Sequence, residues 1–207
     1  MKTRLVLVEG LCGAGKTTLS KMLHGYLLES GHAALYFYEG APNHPATRFN
    51  TREFVQSSTH IPAEEYTDTA VDDWGKFADE AARGDTIYVF EGVFMQHPVH
   101  DHMRIYHSDA GKIINHIKRA AEKLTILNPI LFYLAIDDLP SHLRWVADIR
   151  ISPKYASDEY LTFFEKRKVI ETVISDSLPF PAHRVATNHS DWNGVYKQMV
   201  GIMGDNL

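Results

Sequence analysis

Five stretches of the chain are apolar almost without interruption. Residues 4–9 read Arg-Leu-Val-Leu-Val-Glu, residues 33–38, 86–90 and 129–136 repeat the pattern, and residues 183–186 form a short fifth run. Continuous β-branched and leucine runs mark strands covered on both faces, whereas a half-exposed strand would alternate. Between these runs the apolar positions recur at helical spacing. Leu19, Met22, Leu23, Tyr26 and Leu27 fall on one face of a predicted helix over 16–30, stopped by Gly31. Further helices are predicted over 63–83, ending at Gly84, and over 108–127, ending before Pro129. Three more are predicted over 139–149, 158–177 and 191–203. Strand–helix alternation with fully apolar strands predicts the α/β class, a parallel sheet with helices on both faces. Ligands of such sheets sit beyond the carboxyl ends of the strands. Four of the runs end in acidic residues, Glu9, Glu39, Glu91 and Asp137, which are expected to gather at that edge.

Composition narrows the picture. A length of 207 residues, with no repeat, low-complexity tract or linker, predicts a single domain over 1–207. Hydrophobic residues at 44% and charged residues at 23% exclude a disordered chain. The single cysteine, Cys12, excludes an intramolecular disulfide and a multi-cysteine metal site. There is no run of apolar residues long enough to span a bilayer, and the first apolar run is too short for a signal-peptide core. The expectation is a soluble, cytoplasmic protein. Lys and Arg number 21 against 26 Asp and Glu, a net charge of −5, and no basic run exists. A duplex-binding surface needs many cations to replace counterions, so nucleic acid is not expected as a partner.

The chemistry is concentrated in Gly10-Leu11-Cys12-Gly13-Ala14-Gly15-Lys16-Thr17-Thr18. This fits G-x-x-x-x-G-K-[ST] fully, after a predicted buried strand and at the start of a predicted helix. Glycines let successive backbone N–H groups converge on phosphate oxygens. The following helix turns its positive end toward the same phosphates. Gly10, Gly13, Ala14, Gly15, Lys16, Thr17 and Thr18 are therefore the candidate binders of ATP phosphates. Lys16 is expected to reach the β- and γ-phosphates, and the Thr17 hydroxyl to hold magnesium (Mg2+).

The stretch from Val8 to Thr18 resembles the opening of the P-loop kinases of the nucleoside and nucleoside-monophosphate kinase superfamily. Thymidylate kinases and deoxynucleoside kinases carry a similar Glu-Gly before the loop. Phe132-Tyr133-Leu134-Ala135-Ile136-Asp137-Asp138, followed by Leu143-Arg144 and then Arg150, is similar to the family's fourth strand and arginine-bearing lid helix. Glu39 and Glu91, closing the second and third runs, match more weakly. The resemblance spans most of the chain, and the loop is its specific part. It implies a three-layer P-loop NTPase fold with a five-stranded parallel sheet, the loop strand at its centre, and a small lid over about 140–157. Acceptor-binding insertions are expected over about 40–85 and 93–110.

The resemblance also implies roles. Glu39 resembles the general base for an acceptor hydroxyl. Glu91 resembles the acidic residue beside the metal or the acceptor, so Thr17 and Glu91 are the candidate metal residues. Arg144 and Arg150 resemble lid arginines that lean on the transferring phosphate. Lys16, Glu39, Arg144 and Arg150 form the candidate catalytic set. One position departs from the family: the usual acidic–Arg pair is Glu91-Gly92 here. That speaks against an acceptor that already carries a phosphate, although Arg48 and Arg52 offer cations in the preceding loop. Seven acidic residues on the predicted helix over 63–83 point the same way if that helix roofs the acceptor. Lys154, Arg167 and Lys168 read as solvated charges. His97, His100, His102 and His107 read as polar loop residues around a pocket, with His100-x-His102 a weak zinc signal. Tyr66 and Trp74 fit either ring stacking or helix packing. Cys12, inside the phosphate loop, reads as a small side chain that fits.

The expected function is ATP- and Mg2+-dependent transfer of the γ-phosphoryl group to a hydroxyl of a small molecule, whether nucleoside-like, metabolite or antibiotic. The alternative is a nucleoside-monophosphate kinase of thymidylate type, and a non-kinase NTP-binding protein ranks third. The expected partners are ATP and a small-molecule acceptor, without nucleic acid or membrane. A homodimer is left open.

Overall fold

The computed structural model describes residues 2–47, 61–187 and 191–204. Strands β1 (Leu5–Gly10), β2 (Ala34–Phe37), β3 (Ile87–Glu91), β4 (Ile130–Ala135) and β5 (Ala182–Ala186) form one sheet in the order β2-β3-β1-β4-β5. All four neighbouring pairs are parallel, and β1 lies at the centre. The described residues hold α1 (Lys16–Glu29), α2 (Ala63–Ala81), α3 (Gln96–Arg104), α4 (Ala110–Leu124), α5 (Leu139–Ile149), α6 (Asp158–Ser175) and α7 (Trp192–Gly204). Each strand and helix expected from the apolar pattern is present.

The pleat explains why the strands are apolar on both sides. Leu5 and Leu7 of β1 pack with Val71, Trp74 and Phe77 of α2 and with Ile113 and Ile117 of α4. Val6 and Val8 point the other way, onto Leu19, Leu23 and Leu27 of α1 and Met199 and Met203 of α7. Every residue of β1 is buried, so no register shift of this strand exposes polar positions. A third, smaller cluster joins Leu11 of the phosphate loop to Leu139 and Leu143 of α5 and Phe164 of α6. It seats α5 and α6 on the loop.

Helix ends follow side-chain chemistry. Asp138 caps α5 by accepting from Ser141 N at 3.0 Å. Asp109 does the same for α4, accepting from Lys112 N at 2.9 Å. One helix is not readable from the pattern. Residues 93–110 are not an open loop, because α3 occupies half of them. Histidines and Pro98 mask its periodicity, although proline is tolerated in a first helical turn where the N–H needs no partner.

Candidate active site

The phosphate loop leaves β1 at Gly10 and enters α1 at Lys16. Gly15 caps α1 in the left-handed region, with φ of 92°. A Cβ on Gly15 would lie 2.3 Å from the ring of Trp192, so both the backbone and the space demand glycine there. The buried Lys16 folds back over the loop, and its Nζ donates to the carbonyls of Gly10 and Leu11, each at 3.1 Å. Ala14 N donates to Leu11 O at 3.2 Å, closing the loop on itself. Thr17 and Thr18 stand exposed in the first turn of α1.

Thr17 Oγ1 donates to the Glu91 carboxylate at the end of β3. The other oxygen of Glu91 accepts from Tyr36 OH of β2. Burial and the Glu91 carboxylate together push the Tyr36 hydroxyl far above its ordinary pKa, so it stays a donor. Thr17 and Glu91 thus bring hard oxygen donors together beside the loop. Mg2+ takes one or two such protein ligands and completes its shell with phosphates and water, and the residues present fit that ion.

Glu39 follows β2 and stays exposed. Its carboxylate accepts from the Gln96 side-chain amide at the start of α3. Beneath them Glu9 is 1% exposed and ties β1 to the β3–α3 connection. Its carboxyl oxygens accept from Phe94 N at 2.8 Å and Gln96 N at 3.1 Å. Burial raises the Glu9 carboxyl to about 7, against the lowering effect of these amides. A carboxyl raised on folding lends stability below about 4.5, its ordinary value. That contribution is lost as pH climbs through 7. The Glu9→Gln variant is therefore expected to lose less stability than wild type between pH 5 and pH 8, read as urea midpoints at both pH values.

The segment expected as a lid is only partly gathered onto the loop. His142 of α5 is buried, with Nε2 2.7 Å from Cys12 O, and it anchors α5 to the loop. Arg150 is exposed and donates to Tyr155 OH at 3.1 Å. Its charge, with those of Lys16 and Arg167, acts on Cys12, whose thiol burial nevertheless pushes upward. Cys12 therefore has no thiolate character, in keeping with a small side chain that fits. Arg144 is exposed and donates to Ser141 Oγ at 3.0 Å, within its own helix.

Several expectations need correction. Arg167 is not a solvated charge. It is 3% exposed, and its Nε donates to Glu171 Oε1 at 2.6 Å while Tyr133 OH donates to Glu171 Oε2 at 3.1 Å. Lys168 donates to the carbonyls of Ile136 and Asp137, beyond the end of β4. The acidic residues of α2 mostly face solvent; of them Glu64 lines a cavity of about 290 Å³ with Thr67, His102 and Lys112, away from the phosphate loop. Glu64, Glu65, Asp68, Asp72, Asp79 and Glu80 face solvent, Asp68 pairs with Arg119 at 2.7 Å, and only Asp73 is buried. Tyr66 and Trp74 are both 2% exposed and serve packing. His97 and His102 are buried within α3, and His102 Nε2 lies 2.9 Å from His116 Nδ1. No group of three or more His, Cys, Asp or Glu side chains fit to hold a metal exists among the described residues. Arg48 and Arg52 lie outside the described residues.

A cavity of about 410 Å³ opens beside the loop, lined by Ile136, Asp137, His142, Trp145 and Thr187. It lies where β4 and β5 end against α5. A larger one, about 620 Å³, lies between α3 and α6, and neither cavity is lined by a residue of the loop itself. Arg104 at its rim is stacked 4.0 Å over the Phe163 ring.

No protein-family model matches the sequence, and no curated protein matches it. Among solved structures, thymidylate kinase from Ehrlichia chaffeensis superposes with a TM-score of 0.58 at 15% identity, covering 98% of this chain and 100% of that one. The two share a fold. The sheet is the five-stranded parallel one, with the loop on its central strand, that the resemblance implies. No described helix is long and apolar enough to cross a membrane.

Gln96 and His142 are site-lining groups that sequence reasoning missed, and Arg167 is a buried pair member that it read as solvated. Arg167 and Glu171 stand four residues apart on a predicted helix, which was a usable signal for a pair. Gln96 had no such signal, because α3 itself was hidden.

Proposed function

We propose that this chain is an ATP- and Mg2+-dependent phosphotransferase acting on a hydroxyl of a small molecule. The observation that carries the reading is the convergence of Lys16, Thr17, Glu91 and Glu39 beyond the carboxyl edge of β1, β2 and β3. Phosphoryl transfer needs positioning and charge stabilisation more than covalent chemistry, and these residues supply both.

In this reading the loop amides and Lys16 bind the triphosphate, Lys16 exchanging its two loop carbonyls for phosphate oxygens. Thr17 and Glu91 would hold Mg2+, which when bound neutralises charge on the phosphates. The cavity between His142, Trp145 and Thr187 takes the adenine. Glu39 accepts the proton of the attacking hydroxyl, with Gln96 steering its carboxylate. Arg150, the lid arginine nearer the loop, closes over the transferring group, and Arg144 supports the same lid from its outer face.

The Glu39→Gln variant is expected to lower kcat by about 10²–10⁴-fold and to leave ATP affinity unchanged. Steady-state kinetics paired with ATP titration calorimetry read the two separately. An equal loss of ATP binding moves Glu39 to the donor side. The fold shared with thymidylate kinase favours a second reading, a nucleoside-monophosphate kinase.

A further inference from the structure

Gly92 stands where β3 ends, beside Glu39 and Gln96. The residue follows Glu91 with φ of 69°, and its N–H donates to Val8 O at 3.0 Å. A Cβ there would lie 2.9 Å from Glu39 Oε2, 3.1 Å from Lys16 Cε and 3.5 Å from Gln96 Oε1. Three side chains therefore converge on the space that a longer residue would take. At a φ of 69° any side chain at position 92 would be strained, and glycine leaves this space to Glu39 and Gln96.

The hydrogen-bonding character of this corner is one-sided. Gln96 gives its amide N–H to Glu39. A carboxylate accepts only, so the Gln96 amide cannot be turned round. Its Oε1 is consequently left buried with no partner. Beside it stand the exposed Glu39 carboxylate and His97, which is 8% exposed with an unpartnered Nδ1. Lys16 is held by the carbonyls of the phosphate loop, and Arg167 gives its Nε–H to Glu171 while its Nη2 stays buried without a partner. A carboxylate and an orphaned carbonyl oxygen call for a ligand that brings N–H and O–H donors. A phosphate or carboxylate on the ligand brings acceptors and a like charge instead.

We propose that the Gly92–Glu39–Gln96 corner selects an acceptor bearing several hydrogen-bond donors and no anionic group, such as a polyol, an amino alcohol or an unphosphorylated nucleoside. This rests on the phosphotransfer reading above and decides between its two forms, because it excludes a nucleoside monophosphate. A buried carbonyl left without a donor discriminates strongly against ligands that cannot supply one, by about 10-fold or more.

The test uses the full chain with ATP and Mg2+ and reads acceptor-dependent ADP release. The acceptors are thymidine against thymidine monophosphate, and a small-molecule metabolite extract split on an anion-exchange resin at neutral pH. Release driven by the unretained fraction, or by thymidine over its monophosphate, is expected. The Gln96→Leu variant should then lower kcat/KM for that acceptor at least about 10-fold at unchanged ATP affinity. Release driven by thymidine monophosphate or by the retained fraction alone overturns the proposal and leaves phosphotransfer standing. Release driven by nothing, while calorimetry still registers ATP, overturns phosphotransfer and the proposal with it. Full activity of Gln96→Leu also overturns it.

Discussion

Replacing Lys16 with alanine is expected to lower phosphoryl transfer on the order of 10²–10³-fold or more, with a melting temperature close to that of wild type. The reason is the position of its ammonium. Nζ is held over the loop by the carbonyls of Gly10 and Leu11 at 3.1 Å. It is pre-set where a triphosphate would replace those carbonyls, so little is reorganised when ATP enters. Its removal takes away two hydrogen bonds of about 1 kcal/mol each and strands no buried charge partner, because Lys16 makes no ion pair among the described residues. Coupled measurement of ADP release and a thermal melt separate the two effects. Near-normal transfer by Lys16→Ala removes the mechanism.

The second large effect is on stability in acid. His44, His97, His102 and His116 are all buried, and burial lowers each below the ordinary histidine value, His44 to about 4 and His116 to about 3. His44 lies against the rings of Phe37 and Phe90, at 5.6 and 4.6 Å between centroids, with Nε2 unpartnered. His116 shares one proton position with His102, and its own Nε2 is unpartnered. For a base depressed on folding, the stabilising contribution is present above the unfolded value of 6.5 and is lost as pH falls toward the folded value. A tenfold loss of proton affinity on folding is worth about 1.4 kcal/mol, so several such groups make the acid limb steep. Unfolding midpoints in urea are expected to fall sharply from pH 6.5 to pH 4. His116→Leu is expected to flatten that limb even where it costs stability at pH 7. A flat profile in the wild-type protein contradicts the placement of these rings. Glu9 acts in the opposite sense over part of this range, so the steepest fall is expected at the acid end.

The sheet was legible because its three central strands are buried on both faces. Leu5 to Val8 cannot be read as anything that touches water, and the alternation with helices then leaves few topologies. The phosphate loop was legible because its glycines, lysine and threonine must follow one another in the chain. The Gly92–Glu39–Gln96 corner was not, because it is assembled from the ends of β2 and β3 and the start of α3. Glu39, Glu91 and Gly92 could be picked out as strand-end residues, but the bond from Gln96 to Glu39 joins positions far apart in sequence. The histidines misled for a related reason. His97 and His102 look like loop polarity in the sequence, yet α3 turns them inward, and His102 meets His116. Arg167 was misread because composition favours solvated arginines, whereas Glu171 and Tyr133 give this one a buried partner network.

The central claim is that the residues from Gly10 to Thr18 grip a triphosphate. Titration of the purified chain with ATP at millimolar magnesium, followed by calorimetry, tests it most directly. Saturable heat that is lost in Lys16→Ala is the expected result. The absence of heat with both ATP and GTP, from protein shown to be folded by its melt, contradicts the account.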